Sequence, residues 1–258
     1  ALTVGIVFSL SVCSNQNDNT ETNDDCSSDI AFDQSRGDCN ETLNVTSSFN
    51  ESVSGSNRII TANSIPNHKV GLFGNVQGSL NPNAISAQSE SYTITTSPTV
   101  ASELTPLLSS RGPAYSFGVL LNGVELDPIA AEPFPHQEMM SPNVNWEWNL
   151  EATNVQIGLD CNNAHVQPQG KYHYHGSPTL YLENETIPSN AMTLIGYAAD
   201  GFPIYFKYAY STATDANSTV SIMTSSYRLK TGSRPGNGTS APCGEYNGIY
   251  SADYEYVA

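Results

Sequence analysis

The amino-acid sequence predicts an all-β protein, folded as a single antiparallel β-sandwich or barrel-like domain with long loops. No stretch of twelve or more residues shows the apolar periodicity of an amphipathic helix. Short runs rich in β-branched and aromatic residues recur instead, with turn residues between them. The 258 residues contain one dense group of candidate functional residues, which favours one large domain over two small ones.

Two segments predict β-hairpins. In Tyr115–Leu126, Asn122-Gly123 stands between two apolar runs, which predicts a hairpin closed by a type I′ turn. Thr193–Tyr208 repeats the pattern with Asp200-Gly201 at its corner, and Pro203 is expected at a strand start or edge, where its missing N–H donor is harmless. Four further strands are expected, at Tyr92–Thr96, Asn145–Leu150, Asn154–Leu159 and Ser226–Lys230.

The beginning of the chain indicates export. Residues 1–12 form an apolar run that is short for a membrane span and resembles the hydrophobic core of a signal peptide. Leu10-Ser11-Val12-Cys13 resembles a bacterial lipobox, so we interpret residues 1–13 as a signal-peptide remnant and Cys13 as a candidate for lipidation and membrane attachment. The alternatives are an ordinary cleaved signal peptide and a buried strand. Residues 14–30 are polar and acidic, which predicts a disordered linker, and residues 31–258 remain for the β domain.

Charge and composition narrow the partners. The formal net charge is -16 and the chain has only nine Lys and Arg, which argues against a nucleic-acid surface because phosphate binding draws mainly on cationic side chains. Asn, Ser and Thr supply much of the polar surface, as is typical of secreted proteins. We therefore expect a periplasmic, cell-surface or extracellular protein, with any protein or glycan partner left open.

The cysteines predict disulfides. With Cys13 assigned to a lipid, four cysteines remain, and an even number in an exported chain predicts two bridges. The most economical pairing joins Cys26 to Cys39 and Cys161 to Cys243. In the competing interpretation, Cys161 is a thiolate ligand of a metal.

Three of the five histidines fall within eleven residues, from His165 to His175. In a β-strand, alternate side chains point to opposite faces, so His173 and His175 would share one face while Tyr172 and Tyr174 share the other. Imidazole nitrogen is a ligand for zinc, copper, nickel and iron, and His165 could supply a third nitrogen from the preceding turn. The cluster therefore predicts a metal site, with copper or zinc preferred. A hydrogen-bonded polar network and a metal-free catalytic site are the alternatives.

Other residues could complete this site. Asp160 and Asp200 are candidates for orienting a ligating imidazole through its second nitrogen, although Asp200 also fits a simple turn residue. His136 could be a fourth ligand, with Met139 and Met140 beside it relevant only to copper(I). A twisted or bulged strand would bring Tyr172 or Tyr174 towards the metal. His68 is expected to be exposed and dispensable.

Two motifs carry a resemblance to a known family. Residues 159–176, LDCNNAHVQPQGKYHYHG, followed by residues 195–205, IGYAADGFPIY, resemble the YHYH-domain family, which is named for the tetrapeptide. Asp253–Val257 matches a late segment of the same family. The resemblance covers roughly Asn67 to the end and implies an exported protein. It also implies that the domain is truncated at its C-terminus, because members typically continue past this point. The family has no firmly assigned biochemical activity, so the resemblance does not indicate a function.

Three functions are compatible with these residues. The sequence favours an exported cell-envelope domain that binds copper or zinc, with binding or transport ahead of catalysis, and with affinity that weakens as the pH falls through about 6.5. A metal-dependent oxidoreductase or hydrolase is the second hypothesis, in which three protein ligands leave a coordination position open. A structural or adhesive surface domain without metal is the third. The chain has no nucleophile elbow, phosphate loop or dinucleotide fingerprint.

Overall fold

Strands are the main regular structure in the described part of the chain, and the predicted all-β class is confirmed. The computed structural model describes residues 26, 30–114, 116–136 and 143–257. In chain order the strands are β1 (Phe49–Ser54), β2 (Asn57–Ala62), β3 (Glu90–Thr95), β4 (Leu108–Ser109), β5 (Gly112–Pro113), β6 (Gly118–Leu120), β7 (Glu125–Leu126), β8 (Pro133–Phe134), β9 (Asn145–Asn149), β10 (Ala164–Val166), β11 (Tyr172–Tyr174), β12 (Leu194–Ala198), β13 (Pro203–Tyr205), β14 (Tyr208–Tyr210), β15 (Val220–Ile222), β16 (Tyr227–Leu229) and β17 (Tyr254–Tyr256). One α-helix, α1 (Thr179–Asn184), and two 3₁₀ turns, Ala152–Asn154 and Ser251–Asp253, complete the described elements. The predicted signal-peptide remnant with Cys13, the predicted linker except for residues 26 and 30, and Met139 and Met140 lie outside the described residues.

The largest sheet has six strands in the order β10-β11-β7-β6-β12-β13. Strands β11 and β7 run parallel, whereas the other neighbours in this sheet are antiparallel. The predicted antiparallel arrangement therefore holds for every pair of neighbours in this sheet except β11 and β7. A parallel pair needs a long connection, and here the chain between β7 and β11 supplies one that carries β8, β9 and β10. None of the sheets formed by the described residues closes on itself.

Both predicted hairpins are confirmed, and they share one kind of loop. Leu120 and Val124 flank a three-residue loop in which the Gly123 N–H donates to the Leu120 carbonyl (2.9 Å). Gly123 has a φ of 78°, whereas Asn122 is not among the residues with positive φ. A type I′ turn needs positive φ at both central residues, so the predicted turn type was wrong, and the geometry is that of a type I turn followed by a left-handed glycine. The loop of the second hairpin has the same geometry: Gly201 has a φ of 97°, and its N–H donates to the Ala198 carbonyl (2.9 Å).

The remaining strand predictions have mixed outcomes. Strands β3, β9 and β16 confirm three of the four, and Pro203 begins the edge strand β13, as expected. Asn154–Leu159 was wrong, because a 3₁₀ turn and an irregular stretch occupy it. Its backbone carbonyls accept hydrogen bonds from the N-terminal segment instead of from a sheet neighbour. Helix α1 was missed because six residues are too few to show a helical period.

The core consists of three groups of buried side chains. The group beneath the large sheet contains Tyr172, Tyr174 and Tyr181 packed with the aliphatic residues Val70, Leu120, Val124, Ala164, Val166 and Ile195. A second group centres on Trp148 and Tyr250, and a third contains Ile60, Ile94, Val119 and Tyr197. The first group anchors β11, the strand that carries the histidine motif.

Two disulfides join the beginning of the described chain to distant parts of it. Cys26 bonds to Cys243 and Cys39 bonds to Cys161, so the predicted pairing was wrong. Nearness in sequence was a poor guide because the N-terminal segment runs alongside residues 153–161. The sequence separations of 217 and 122 correspond to about 5 kcal/mol of unfolded-state entropy for each bridge taken alone. The thiolate interpretation of Cys161 was also wrong, because its sulfur is in a disulfide.

Within the described residues, no helix combines the length and apolar character that crossing a membrane requires.

Candidate metal centre

The histidines are held by the β10–β11 hairpin and the residue that follows it. Strand β10 pairs antiparallel with β11, which places His165 directly opposite His173. Gly170 has a φ of 90° and closes the connecting turn, where its N–H donates to the Gln167 carbonyl (2.8 Å). His175 lies two residues after His173 and therefore on the same face. The predicted separation of imidazoles and phenols onto opposite faces is confirmed, since Tyr172 and Tyr174 are fully buried in the core group.

The three imidazoles meet at their Nε2 atoms. The Nε2 atom of His175 lies 3.0 Å from that of His173 and 3.1 Å from that of His165. The ring centroids are 4.7 to 4.8 Å apart, which makes the group nearly an equilateral triangle. His173 and His175 are only 2% and 5% exposed, while His165 is half-buried. Among the described residues these three are the only group of His, Cys, Asp and Glu with the spacing of metal ligands.

Backbone carbonyls set the tautomers of two rings. The Nδ1 atom of His165 lies 3.0 Å from the Ile157 carbonyl oxygen, and that of His173 lies 3.4 Å from the Lys171 carbonyl oxygen. A carbonyl oxygen only accepts, so Nδ1 carries the proton in these rings and Nε2 presents its lone pair. His175 Nδ1 is buried beside the Pro128 backbone without a hydrogen bond of normal geometry. Two lone pairs therefore point at the third ring.

Burial keeps these rings neutral. Desolvation, with the charges of His165 and Lys171 adding to it, lowers the pKa of His173 to about 3. Desolvation, followed by repulsion from the other two imidazoles, holds the pKa of His175 well below its ordinary value. Desolvation also lowers the pKa of His165. At neutral pH the three imidazoles are therefore uncharged. Their converging lone pairs attract positive charge, and protonation of the rings does not supply it.

The residues fit a metal ion better than a closed network of hydrogen bonds. If His175 carried its proton on Nε2, that one N–H could donate well to only one neighbour, and its buried Nδ1 would lack a donor. Zinc binds imidazole nitrogen at about 2.0 to 2.1 Å, so tetrahedral or trigonal ligands lie roughly 3.3 to 3.6 Å apart. The observed distances of 3.0 and 3.1 Å are a few tenths shorter, which small ring movements would accommodate.

The opposite face of β11 carries a polar network around two phenols. Tyr172 donates to the Asp160 carboxylate (2.8 Å), while the Tyr174 hydroxyl meets His68 Nε2 (2.6 Å) and accepts from Asn122 (2.8 Å). Asp160 also accepts from the backbone N–H groups of residues 71 and 162. Asp160 therefore orients Tyr172 rather than a cluster imidazole. The prediction that His68 is exposed was wrong, because its ring is half-buried and hydrogen-bonded to Tyr174.

The other proposed partners of the cluster lie elsewhere. Asp200 is exposed and accepts from the Phe202 N–H, which is the turn role. His136 places Nδ1 3.2 Å from the Glu132 carbonyl and Nε2 3.1 Å from the Tyr250 hydroxyl, so both ring nitrogens are engaged away from the cluster. Neither residue belongs to the group with metal-ligand spacing.

The sequence reasoning missed an ion pair beside the cluster. Glu125 on β7 stands opposite His173 in the parallel register, so both side chains share a face. Its carboxylate pairs with Lys171, which also lies 3.3 Å from Glu90. Burial, aided by the Glu125 charge, raises the pKa of Asp127 to about 6. The spacing Glu125-x-Asp127 places two carboxylates on one face of a strand, which is a signal in the sequence. The parallel pairing of β7 with β11, which brings that face beside His173, could not be predicted.

The comparison with protein families agrees with the motif. Residues 91–258 match the family model described as YHYH protein. No curated protein and no solved structure is significantly similar to the chain.

Proposed function

This chain belongs to the YHYH protein family, and we propose that it binds one copper or zinc ion through His165, His173 and His175. The observation that carries the proposal is the convergence of three buried or half-buried imidazoles. The Nε2 atom of His175 lies 3.0 Å and 3.1 Å from those of His173 and His165, and these two neighbours present lone pairs towards it. An ion at this point would satisfy all three nitrogens together.

The donor set supports copper or zinc over harder cations. Imidazole suits zinc, copper, iron and nickel, whereas calcium and magnesium prefer oxygen ligands. The ligand group within the described residues contains no carboxylate and no thiolate. Both metals remain candidates because each accepts an all-imidazole set.

The near-complete burial of two ligands favours binding or transport of the ion over catalysis on a large substrate. His173 and His175 are almost inaccessible, so a substrate could approach mainly from the side of the half-buried His165. Three protein ligands would still leave a position for a small molecule, which keeps a metal-dependent oxidoreductase or hydrolase as the alternative.

We place this activity in the cell envelope or outside the cell. Two disulfides are typical of proteins that fold in an oxidising compartment. Lipidation of Cys13 would attach the domain to a membrane. The strongly acidic chain favours a metal ion over a nucleic acid as the ligand.

The direct test is metal content. The chain is purified without metal-binding tags, exposed to Cu²⁺ or Zn²⁺, desalted and analysed by elemental mass spectrometry. The wild-type protein should retain about one equivalent of one metal, and His173→Ala and His175→Ala should each lose it. His68→Gln is the matched control, because this histidine lies across β11 from the cluster.

Two results would contradict the proposal. One is wild-type protein that is folded yet retains no metal. The other is unchanged stoichiometry in both cluster variants, which would place the ion elsewhere.

A further inference from the structure

The loop before β10 holds two of the histidines through its backbone. In residues 153–163, which we call the orienting loop, the Ile157 carbonyl fixes the ring of His165 at 3.0 Å. At the other end, the Asn163 carbonyl accepts the backbone N–H of His175 at 2.7 Å. The position of this loop therefore determines the direction of one ring and the placement of another.

The orienting loop is itself held by residues 33–39, which we call the N-terminal arm. Arg36 donates from Nε to the Asn163 side chain (2.7 Å) and from Nη2 to the Thr153 carbonyl (2.6 Å). The Gly37 N–H donates to the Leu159 carbonyl (3.0 Å). Further bonds join the arm to Asn154 and Gln156.

A covalent bond secures the same contact. The Cys39–Cys161 disulfide joins the end of the arm to the tip of the orienting loop, four residues before His165. The second disulfide, Cys26–Cys243, joins two positions that both lie outside the arm and the orienting loop. The two bridges thus offer a matched comparison.

We propose that the N-terminal arm is a working part of the metal site: Arg36 and the Cys39–Cys161 disulfide position the orienting loop and so preorganise the three imidazoles. This inference rests on the proposed metal binding and adds Arg36 and Cys39, which lie outside the family match at 91–258. Removing a group that holds a metal ligand in position through hydrogen bonds commonly weakens metal affinity about ten- to a hundredfold.

The test compares Cys39→Ser/Cys161→Ser with Cys26→Ser/Cys243→Ser in the full chain. Serine removes each bridge without leaving a free thiolate that could bind the metal. Cu²⁺ is the probe, because imidazole sites generally bind it more tightly than other divalent ions of its series. Affinity is measured by competition with a chelator, and the electron paramagnetic resonance spectrum reports the nitrogen ligands.

The first double variant should bind Cu²⁺ about ten- to a hundredfold more weakly than wild type, with an altered spectrum. The second should match the wild-type affinity and spectrum, although it too loses global stability. A spectral change confined to the first variant would separate positioning from general destabilisation.

Arg36→Ala provides a second route, needed if the first double variant does not fold. It should weaken binding and alter the spectrum. Arg36→Lys should keep part of the affinity, because its ammonium group can still donate to one of the two acceptors. Wild-type affinity and spectrum in Arg36→Ala, or in a folded Cys39→Ser/Cys161→Ser, would overturn the positioning role while leaving the metal site intact. Failure of the wild-type protein to bind Cu²⁺ would overturn both proposals.

Discussion

Acid should destabilise the metal-free protein through its buried imidazoles, and His173 allows the effect to be measured. Burial lowers the pKa of His173 from 6.5 to about 3. Between these values the unfolded chain binds a proton that the folded protein does not, so stability is lost as the pH falls through this window. The full shift corresponds to about 5 kcal/mol, since each pKa unit is worth about 1.36 kcal/mol.

At pH 4.5, two units below the ordinary pKa of 6.5, this one residue should cost about 2.7 kcal/mol of unfolding free energy. Urea unfolding is measured at pH 7.0 and 4.5 with a chelator present, for wild type and for His173→Gln. The buried carboxyl of Asp127, whose pKa is raised to about 6, acts in the opposite direction. Comparing the two proteins cancels such contributions, because both retain them.

The loss between pH 7.0 and 4.5 should be smaller in His173→Gln than in wild type by roughly 2 to 3 kcal/mol. Equal losses would refute the reasoning. They would mean that His173 takes up a proton in the folded protein as readily as in the unfolded chain, and that the cluster is not a set of neutral, desolvated rings.

Three further predictions concern the ligand, the core and the opposite face of β11. Burial lowers the pKa of all three cluster imidazoles, so the loss of metal affinity should begin below the pH of about 6.5 that the sequence alone predicts. Affinity in a chelator competition should stay within a few-fold between pH 7 and 6, whereas a fall of about 30-fold, as three ordinary imidazoles would give, would contradict the burial argument. Asp253→Asn should lower the unfolding free energy by about 3 to 5 kcal/mol in urea, because Arg234, only 6% exposed, loses its counter-charge. The control Glu255→Gln removes an exposed ion pair and should cost at most about 1 kcal/mol, so equal costs would be evidence against the buried pair. Tyr174→Phe should lower the unfolding free energy by about 1 to 3 kcal/mol, because His68 and Asn122 lose their hydrogen-bond partner. The variant should still bind one equivalent of metal, and loss of the metal would mean that the two faces of β11 are coupled.

The face of the metal site was predictable from local geometry. Period-two alternation alone assigned His173 and His175 to one face of a strand and Tyr172 and Tyr174 to the other. The core takes the phenols because their rings bury a large apolar area, while nearby polar groups satisfy their hydroxyls. No long-range information was needed for this assignment.

Features that depend on contacts between distant parts of the chain could not be predicted from the sequence. The N-terminal arm competes for the backbone of residues 154–159, which prevented the predicted strand and reversed the expected disulfide partners of Cys39 and Cys161. The atoms that orient the imidazoles are carbonyls of Ile157 and Lys171, and any residue type supplies such a group. Side-chain identity therefore carried no signal for them, whereas it indicated Asp160, which serves the tyrosine network instead.

The most direct test of the metal site is anomalous X-ray diffraction from crystals of the metal-loaded protein, recorded at the absorption edge of the bound ion. The proposal predicts a single strong peak about 2.0 to 2.1 Å from the Nε2 atoms of His165, His173 and His175, with Nδ1 of His165 still donating to the Ile157 carbonyl. A peak at any other place, or a loaded crystal with no peak among these three nitrogens, would contradict it.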